Sequence, residues 1–334
     1  MLNIGLVSSA NGLGHTRRLC HLATGFMEMG HDVEILALPE QISKVSDELK
    51  GDKVLIRFVP IDTYGTEGPV WYRNGCMIKQ PPKNIIDRIT KYDLVLTDNS
   101  IWPFGYSSNV VLFGHFNWID YWNKSKSHKF PSKVKQIFEE ESILCSKIKT
   151  AFCFLDFALP DSIIPKKSHK KVKLMRYKTD QFLPNDIKPS TEIWLASGTT
   201  NLAEQQNYNF LKNYKFNVFE RESFRLVNST IKPIMIAGRP GMGTIRDCLA
   251  AGVPLLPIWD NADPELKSNV SNLNNLNLLP FYNFDDMQDI DILNRSINEI
   301  HNLNLLWREK WLEISDEISR ICSDILSLIT KDKE

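Results

Sequence analysis

The sequence predicts an α/β fold of two domains, each built on a parallel sheet with helices on both faces. The chain has 334 residues, and one hydrophobic core rarely grows beyond about 250–300 residues. Short apolar runs alternate with helical patterns along most of the chain, which is typical of parallel strands joined by crossover helices. Each half also contains a glycine-rich turn between an apolar run and a helical stretch.

The composition is that of a globular protein with no global attraction to nucleic acid. Hydrophobic residues make up 43% of the chain, charged residues 24%, and the formal net charge is zero. The six cysteines are scattered and form no C-x-x-C pair, which favours reduced thiols over a zinc or disulfide framework. The first residues lack the pattern of a signal peptide, and no apolar run approaches the length of a membrane span. We expect a cytoplasmic protein.

The first domain opens with a strand, a glycine loop, a helix and a second strand. We predict strands over Leu2–Val7 and Val33–Leu38, and a helix over Thr16–Met29 that ends at Gly30. The loop Ser8–Gly14 lacks the G-x-G-x-x-G pattern, and no acidic residue ends the second strand. A dinucleotide site is therefore weakly supported.

The alternation continues to about residue 155. Further predicted helices are Glu40–Leu49, Lys83–Lys91 and Pro131–Lys149, and further predicted strands are Lys53–Pro60, Asp93–Thr97, Val110–Phe113 and Ala151–Leu155. Two aromatic-rich segments, Tyr64–Gln80 and 114–122, interrupt it. Their rings suit stacking on the face of a ligand, and packing under a long loop explains them equally well.

A basic segment, Lys166–Lys178, marks the change to the second domain. The simpler interpretation of its charges is a solvated linker or a strand edge, and the alternative is attachment to a membrane surface. We place a first domain at 1–165, a second at 166–304, and a C-terminal helical segment at 305–334.

The second domain is organised around residues 234–263. A strand over Glu192–Ala196, a turn and a helix over Leu202–Lys212 precede this stretch. Within it we predict a strand (Ile234–Ala237), a glycine turn (Gly238–Gly243), a helix (Thr244–Ala251) and a strand (Val253–Ile258). Thr244 and Asp247 have the spacing of a capping box. Glycines and the free N–H groups of a helix start suit an anion, although an ordinary tight turn has the same pattern.

The remaining elements are predicted less sharply. The pattern over 216–227 predicts no element, residues Asn269–Asn277 form a helix or loop, and Ile290–Leu328 is helical. Trp307 and Trp311 lie in this last stretch, and we expect them in the core.

One pair of residues indicates acid–base chemistry. His15 follows the first glycine loop, and Asp98 ends the predicted fourth strand. In a doubly wound sheet the first and fourth strands are neighbours, and ligands bind beyond their carboxyl ends. We therefore expect the two side chains to meet, with Asp98 holding one imidazole nitrogen and leaving the other to accept a proton. Taken singly, either residue is as readily structural.

The glycine turns together resemble a known family. Gly12-x-Gly14-His15-x-x-Arg18 is similar to the first turn of GT-B glycosyltransferases, above all those like the peptidoglycan UDP-GlcNAc transferase, and residues 238–269 resemble their donor-site signature. The resemblance implies two Rossmann-like domains with parallel sheets facing across a cleft, and a last helix that returns to the first domain.

The resemblance also implies roles for individual residues. His15 would be the base and Asp98 the aspartate that orients it. The residues expected to bind the nucleotide sugar are Gly14, Arg18, Gly198, Thr199, Arg239, Gly241, Met242, Gly243, Thr244, Asp247, Asp263 and Glu265. Asp247 stands where the family has a ribose-binding glutamate, and Glu265 where it commonly has a glutamine. These departures leave the ribose and sugar contacts open.

The function that the resemblance implies is transfer of a sugar, with inversion, from a nucleoside diphosphate donor such as a UDP-sugar. The acceptor is an unknown sugar, lipid or protein in cell-surface glycan or glycolipid synthesis, and no metal or cofactor is expected. Two alternatives stay open. One is a nucleotide-sugar hydrolase, because G-x-G-H-x-x-R also resembles such enzymes. The other is a non-catalytic nucleotide-sugar binding subunit of a membrane complex, in peripheral contact with the inner face of the membrane.

Overall fold

A computed structural model shows two compact units, each with its own parallel sheet. Met1–Leu155, Asp161–Tyr177 and Asp316–Glu334 form unit 1, and Asp156–Pro160 and Lys178–Ser315 form unit 2. The structure describes residues 1–49, 55–65, 79–114, 132–148, 150–154, 171–175, 188–189, 192–196, 217–221, 231–258, 264–279, 289–303, 306–307, 309 and 318–331.

Unit 1 contains a seven-stranded parallel sheet in the order β3-β2-β1-β4-β5-β6-β7. Its strands are β1 (Asn3–Val7), β2 (Asp32–Ala37), β3 (Arg57–Pro60), β4 (Leu94–Asp98), β5 (Val110–Gly114), β6 (Thr150–Phe154) and β7 (Lys171–Met175). The strand order reverses between β1 and β4, where Val7 aligns with Thr97. This reversal is the switch point at which doubly wound sheets bind ligands, and it confirms the predicted neighbours.

The basic segment contributes the last strand of this sheet. Strand β7 pairs with β6 and, in the order of the described strands, lies at the edge of the sheet. Its lysines (Lys171 and Lys173) suit an edge, where charge discourages pairing with another chain. The strand-edge interpretation is thus confirmed, and the sheet of unit 1 extends past residue 165, where the sequence placed the domain boundary.

The described α-helices lie in both units. They are α1 (Leu13–Glu28), α2 (Pro39–Glu48), α3 (Lys83–Ile89), α4 (Ser132–Cys145), α5 (Met242–Ala251), α6 (Pro264–Asn275), α7 (Ile290–Asn302) and α8 (Ile318–Lys331). A short 3-10 helix covers Trp102–Gly105. No helix in the described part of the chain is long and apolar enough to cross a membrane.

Unit 1 buries the whole of β4 and β5 between two apolar layers. One layer joins the sheet to α1 and α8 through residues such as Phe26, Ile321 and Ile325. The other includes Ile89 and Trp102. Strands covered on both faces read as continuous apolar runs, which is why the alternation was visible in the sequence.

The C-terminal helix α8 belongs to unit 1, as the resemblance implied. It packs on α1 at Gly25, where an added Cβ would lie 2.9 Å from Cys322 Sγ. The Cys322 thiol also contacts the carbonyl oxygen of Leu22 at 3.7 Å. The close crossing depends on the missing side chain at Gly25.

Unit 2 contains a four-stranded parallel sheet in the order β10-β9-β12-β13. The strands of this unit are β8 (Lys188–Pro189), β9 (Glu192–Ala196), β10 (Asn217–Arg221), β11 (Ile231–Lys232), β12 (Met235–Gly238) and β13 (Leu255–Pro257), with β8 and β11 paired separately. Strand β10 lies where the pattern predicted no element. The predicted helix Leu202–Lys212 and most of Tyr64–Gln80 and 114–122 lie outside the described residues.

One of the two predicted core tryptophans can be checked. Trp307 is fully buried and donates its indole N–H to the Leu278 carbonyl at 2.8 Å, so its core position is confirmed. Trp311 lies outside the described residues.

Candidate functional site

The first glycine loop brings His15 to the carboxyl end of the sheet in unit 1. Gly12 has φ of +88°, a conformation that L side chains rarely adopt. Helix α1 begins immediately afterwards at Leu13, so that His15 lies in its first turn, earlier than the predicted start at Thr16. The buried Ser8 and Thr16 hydroxyls hydrogen-bond at 2.9 Å and join the loop to the helix.

His15 and Asp98 meet as predicted. His15 Nδ1 lies 3.0 Å from Asp98 Oδ1. The imidazole is 14% exposed, whereas the carboxylate is fully buried. The two residues are far apart in the chain, and the β1–β4 pairing brings them together. The contact leaves Nε2 as the imidazole nitrogen that does not face the carboxylate.

Arg18 is the third member of a cluster with His15 and Asp98, which we call the cluster below. Its Nε donates to Asp98 Oδ2 at 2.9 Å, and its Nη2 lies 2.6 Å from each carboxylate oxygen. Arg18 is only 4% exposed. The resemblance implied nucleotide-sugar binding for Arg18, and the structure shows its Nε and Nη2 in contact with Asp98.

The charges of the cluster keep Asp98 ionised. Burial by itself raises the pKa of a carboxyl group, but the positive charge of Arg18, followed by the electrostatic effect of the His15 imidazole and the hydrogen bonds from both residues, holds the pKa of Asp98 below its ordinary value. Asp98 is therefore a carboxylate at neutral pH and accepts hydrogen bonds only.

A strained turn after β4 holds Asp98 in place. Asn99 has φ of +62° and donates its backbone N–H to the Phe113 carbonyl at 3.0 Å. The Thr97 hydroxyl donates to the Ser100 carbonyl at 2.7 Å. On the neighbouring strand, Gly114 has φ of +135°, and an added Cβ there would lie 2.9 Å from Asp98 Oδ1. Sequence reasoning missed this support, which depends on the register of β4 and β5.

Gln41 is a second residue that sequence reasoning missed. Its buried side chain donates to the carbonyl oxygens of Ser9 at 2.8 Å and Gly12 at 2.7 Å. Its Oε1 accepts the Leu38 N–H at 3.1 Å. Gln41 therefore ties α2 to both ends of the glycine loop. A glutamine in the first turn of a predicted helix was the available signal, since such residues form capping contacts.

The glycine turn of unit 2 ends in an uncapped helix start. Helix α5 begins at Met242, and among the described residues no side chain caps it. Thr244 is the third helical residue, so the predicted capping box with Asp247 is wrong. The helix begins at Met242, two residues before the predicted start at Thr244. The Ile245 N–H makes the first helical bond, to Gly241, which leaves the N–H groups of Met242, Gly243 and Thr244 at the open end.

The described part of the chain gives no structural reason for a glycine, rather than another residue, at position 241. Its φ of −74° suits any residue, and within the described chain an added Cβ would meet no atom within 4 Å. Its N–H bonds the Arg239 carbonyl at 2.8 Å. The buried Asn269 side chain on α6 donates to the Pro240 carbonyl at 2.9 Å and holds the turn. Two hydrogen bonds thus hold the turn, and the described residues leave open space beside its glycine.

The remaining predicted residues are only partly described. Gly14 is the second residue of α1, and Asp247 and Glu265 lie half-buried on α5 and in the first turn of α6. Gly198, Thr199 and Asp263 lie outside the described residues. Within the described chain, no cluster of three or more His, Cys, Asp or Glu residues could hold a metal ion.

Comparison with known proteins reveals a shared fold. No family model matches the chain, and no curated protein matches its sequence. A structure of the glycosyltransferase of kitacinnamycin aligns over 98% of this chain and 99% of its own, with TM-score 0.62 and 12% identity. The glycosyltransferase VinC in complex with dTDP aligns over 99% and 100%, with TM-score 0.56 and 13% identity. MurG of Acinetobacter baumannii aligns over 99% and 100%, with TM-score 0.53 and 15% identity.

These likenesses run the full length of both chains. The protein thus has the GT-B architecture, an α/β fold of two Rossmann-like domains, as the resemblance implied. At this level of identity the likeness concerns the fold, and function is argued from the site.

Proposed function

We propose that the protein is an inverting glycosyltransferase that moves a sugar from a nucleoside diphosphate donor to an acceptor hydroxyl. The observation that carries the proposal is the contact of His15 Nδ1 with the buried carboxylate of Asp98 at 3.0 Å. A carboxylate cannot donate a hydrogen bond, so Nδ1 carries the proton and Nε2 presents a lone pair. This is the arrangement that a general base needs.

The reaction follows from this geometry. Nε2 of His15 takes the proton of the acceptor hydroxyl while the hydroxyl oxygen bonds to the anomeric carbon. The bond between that carbon and the diphosphate oxygen breaks, and its electron pair leaves with the nucleoside diphosphate. One direct displacement inverts the anomeric centre. The proton then passes from the imidazolium to solvent.

The start of helix α5 has the groups that suit a leaving diphosphate. Negative charge grows on phosphate oxygens as the glycosidic bond breaks. The open N–H groups of Met242, Gly243 and Thr244 and the positive end of the helix dipole suit that charge. A ligand that approaches the backbone closely explains the open space beside Gly241. No metal ion is required by this scheme.

We further propose the nucleotide, the residues that contact the donor and the class of acceptor. UDP is the first candidate nucleotide, Asp247 the ribose contact and Glu265 a contact for sugar hydroxyls, together with Gly14, Arg239, Gly198, Thr199 and Asp263. Sugar, lipid and protein acceptors all fit the chemistry, in the synthesis of a cell-surface glycan or glycolipid. The complex of the glycosyltransferase VinC with dTDP supports a nucleoside diphosphate ligand for this fold.

Nucleotide binding is tested by thermal shift with UDP, GDP, CDP and dTDP. A ligand that binds only the native state raises the melting temperature by mass action. We expect one nucleotide to do so, and Gly241→Ala to keep the unliganded melting temperature while losing most of the shift. Gly105→Ala is the matched control, because its added Cβ would lie 3.8 Å from Leu144 in ordinary contact. No response to any nucleotide would contradict the proposal.

Catalysis is tested with the nucleotide sugar that binds. We expect slow release of free sugar from the donor alone and faster turnover when an acceptor is added. His15→Gln and Asp98→Asn should each lower the rate on the order of 10²–10⁴-fold. Rapid and complete release without acceptor would identify a hydrolase. Binding without turnover would identify a non-catalytic subunit.

A further inference from the structure

The contact between His15 and Asp98 does not itself require Arg18, although Arg18 lies against both residues. His15 and Arg18 are three residues apart on α1, so their side chains lie on the same face of the helix. Both reach Asp98, at the end of β4, and the guanidinium is nearly as buried as the carboxylate. Burial of this depth leaves little of Arg18 for a ligand.

Two groups, one a hydrogen-bond acceptor and the other a donor, compete for a hydrogen bond with His15 Nδ1. Asp98 Oδ1 lies 3.0 Å from Nδ1, and Arg18 Nη2 lies 3.2 Å from the same atom. A neutral imidazole nitrogen either donates a hydrogen bond to the carboxylate or accepts one from the guanidinium. Only the first choice leaves a lone pair on Nε2. The second would place the proton on Nε2 and remove the base.

Three contacts join the Arg18 guanidinium to the Asp98 carboxylate. Arg18 Nη2 lies 2.6 Å from both Asp98 oxygens, and Nε adds a third contact at 2.9 Å. These contacts are shorter than the 3.2 Å to the imidazole. Charge-assisted bonds of a guanidinium fork to a carboxylate are the stronger ones and fix its orientation.

We propose that Arg18 is a positioning residue that anchors Asp98 and thereby selects the Nδ1–H tautomer of His15. The inference rests on the proposed function, because the tautomer matters when Nε2 is the base. Arg18 supplies no group to the substrate. It holds Asp98 as an oriented carboxylate, and that carboxylate holds the imidazole proton on Nδ1.

Loss of the Arg18 guanidinium should change which nitrogen of His15 carries the proton. In Arg18→Gln the buried carboxylate keeps no permanent counter-charge from the described part of the chain. It then takes up a proton itself or stabilises a second proton on the imidazole. Either change lowers the population of His15 with a proton on Nδ1 and a lone pair on Nε2. Arg18→Lys keeps a positive charge, but it replaces the planar fork by a single ammonium group.

The test reads the tautomer directly and needs no substrate. Histidine-selective ¹⁵N labelling reports which imidazole nitrogen is protonated, and His15→Gln assigns the signal among the seven histidines. At about pH 8, above the usual range of histidine charging, we expect wild type to show a protonated Nδ1 and an unprotonated Nε2. We expect Arg18→Gln and Arg18→Lys to lose this pattern, and the neighbouring Arg17→Gln to keep it.

Kinetics supply the second readout. For Arg18→Lys we expect kcat to fall about 100-fold, with the KM for the nucleotide sugar changed less than about threefold. In Arg18→Ala, added methylguanidinium should restore part of kcat. A variant that keeps the Nδ1–H tautomer and the wild-type kcat overturns the inference, and so does a change confined to KM.

The two proposals fail in different ways. If the protein turns over no nucleotide sugar, the proposed function fails, and the ¹⁵N signals still decide whether Arg18 sets the tautomer. If Arg18→Gln does not fold, Arg18→Lys carries the test, because it leaves the buried carboxylate paired with a cation.

Discussion

Gly25→Ala should destabilise unit 1, although alanine is normally the better helix residue. Gly25 lies on α1 where α8 crosses it, and an added Cβ would lie 2.9 Å from Cys322 Sγ and closer still to Ile318 Cγ2. Nonbonded carbon atoms approach each other to about 3.5–4.0 Å. Ile318 is β-branched, so rotation about χ1 offers its Cγ2 little escape within a helix.

The expected magnitude is the balance of two effects. Replacing glycine by alanine inside a helix is worth about 0.5–1 kcal/mol in favour of alanine. Forcing an extra methyl group into a packed interior costs about 1–3 kcal/mol. The two ranges leave a net loss of about 0–2.5 kcal/mol. Because the contact with Ile318 is too short for the low end of that range, we expect Gly25→Ala to lower the free energy of unfolding of unit 1 by about 1–2 kcal/mol.

The assay must follow unit 1 separately, because a chain of two units need not unfold in one step. Hydrogen exchange of the α1 and α8 amides, followed by mass spectrometry, measures the opening of this crossing. Ile318→Ala removes the clashing methyl group, so Gly25→Ala/Ile318→Ala should lose less stability than the sum of the single variants. Gly105→Ala serves as the control. Equal or greater protection in Gly25→Ala, or strict additivity of the pair, would refute the described crossing.

Four other perturbations test contacts elsewhere in the described residues. Gln41→Leu removes three hydrogen bonds of the glycine loop and should cost about 1–3 kcal/mol; unchanged exchange of the loop amides would contradict it. The pKa of Asp98 is lowered in the folded state, so its contribution to stability is present above about pH 4. That contribution is lost as the pH falls through the folded pKa, and urea midpoints should fall more steeply there in wild type than in Arg18→Gln/Asp98→Asn. Burial raises the pKa of Cys322 to about 12 and that of Cys248 well above its ordinary value; both thiols should resist iodoacetamide in the native protein and react once it unfolds. Truncation before Leu305 removes α8 from α1 and should lower the stability of unit 1 and the turnover together; an unchanged α1 exchange profile would count against this.

Much of the fold was predictable because parallel strands buried on both faces leave a plain signal. The strands β1, β2, β4, β5 and β9 lie within about two residues of their predicted bounds. Strand β10 was missed, because its five residues, NVFER, mix polar and apolar side chains without a clear period. Helix α5 was placed two residues late, because a glycine next to a turn gives no pattern that distinguishes turn from helix.

Part of the candidate site was also predictable from the sequence, and part was not. The meeting of His15 and Asp98 followed from strand order, since the carboxyl ends of neighbouring parallel strands share an edge. The role of Arg18 did not follow, because a motif places a side chain on a helix face and does not say what opposes that face. Gln41 and Gly114 were missed for a related reason. Their importance lies in contacts across 29 residues and across a strand pair, respectively.

Local periodicity and spacing along the chain set the alternation of strands and helices, the two glycine turns and the residue types that carry the chemistry, and a reader of the amino-acid order can see all of these. Three features became visible in the folded chain alone: Arg18 binds the carboxylate of Asp98, Gln41 holds the glycine loop, and α8 crosses α1 at Gly25. Contacts of this kind depend on strand register and helix crossing, which are set by the packing of the whole core and leave no local pattern.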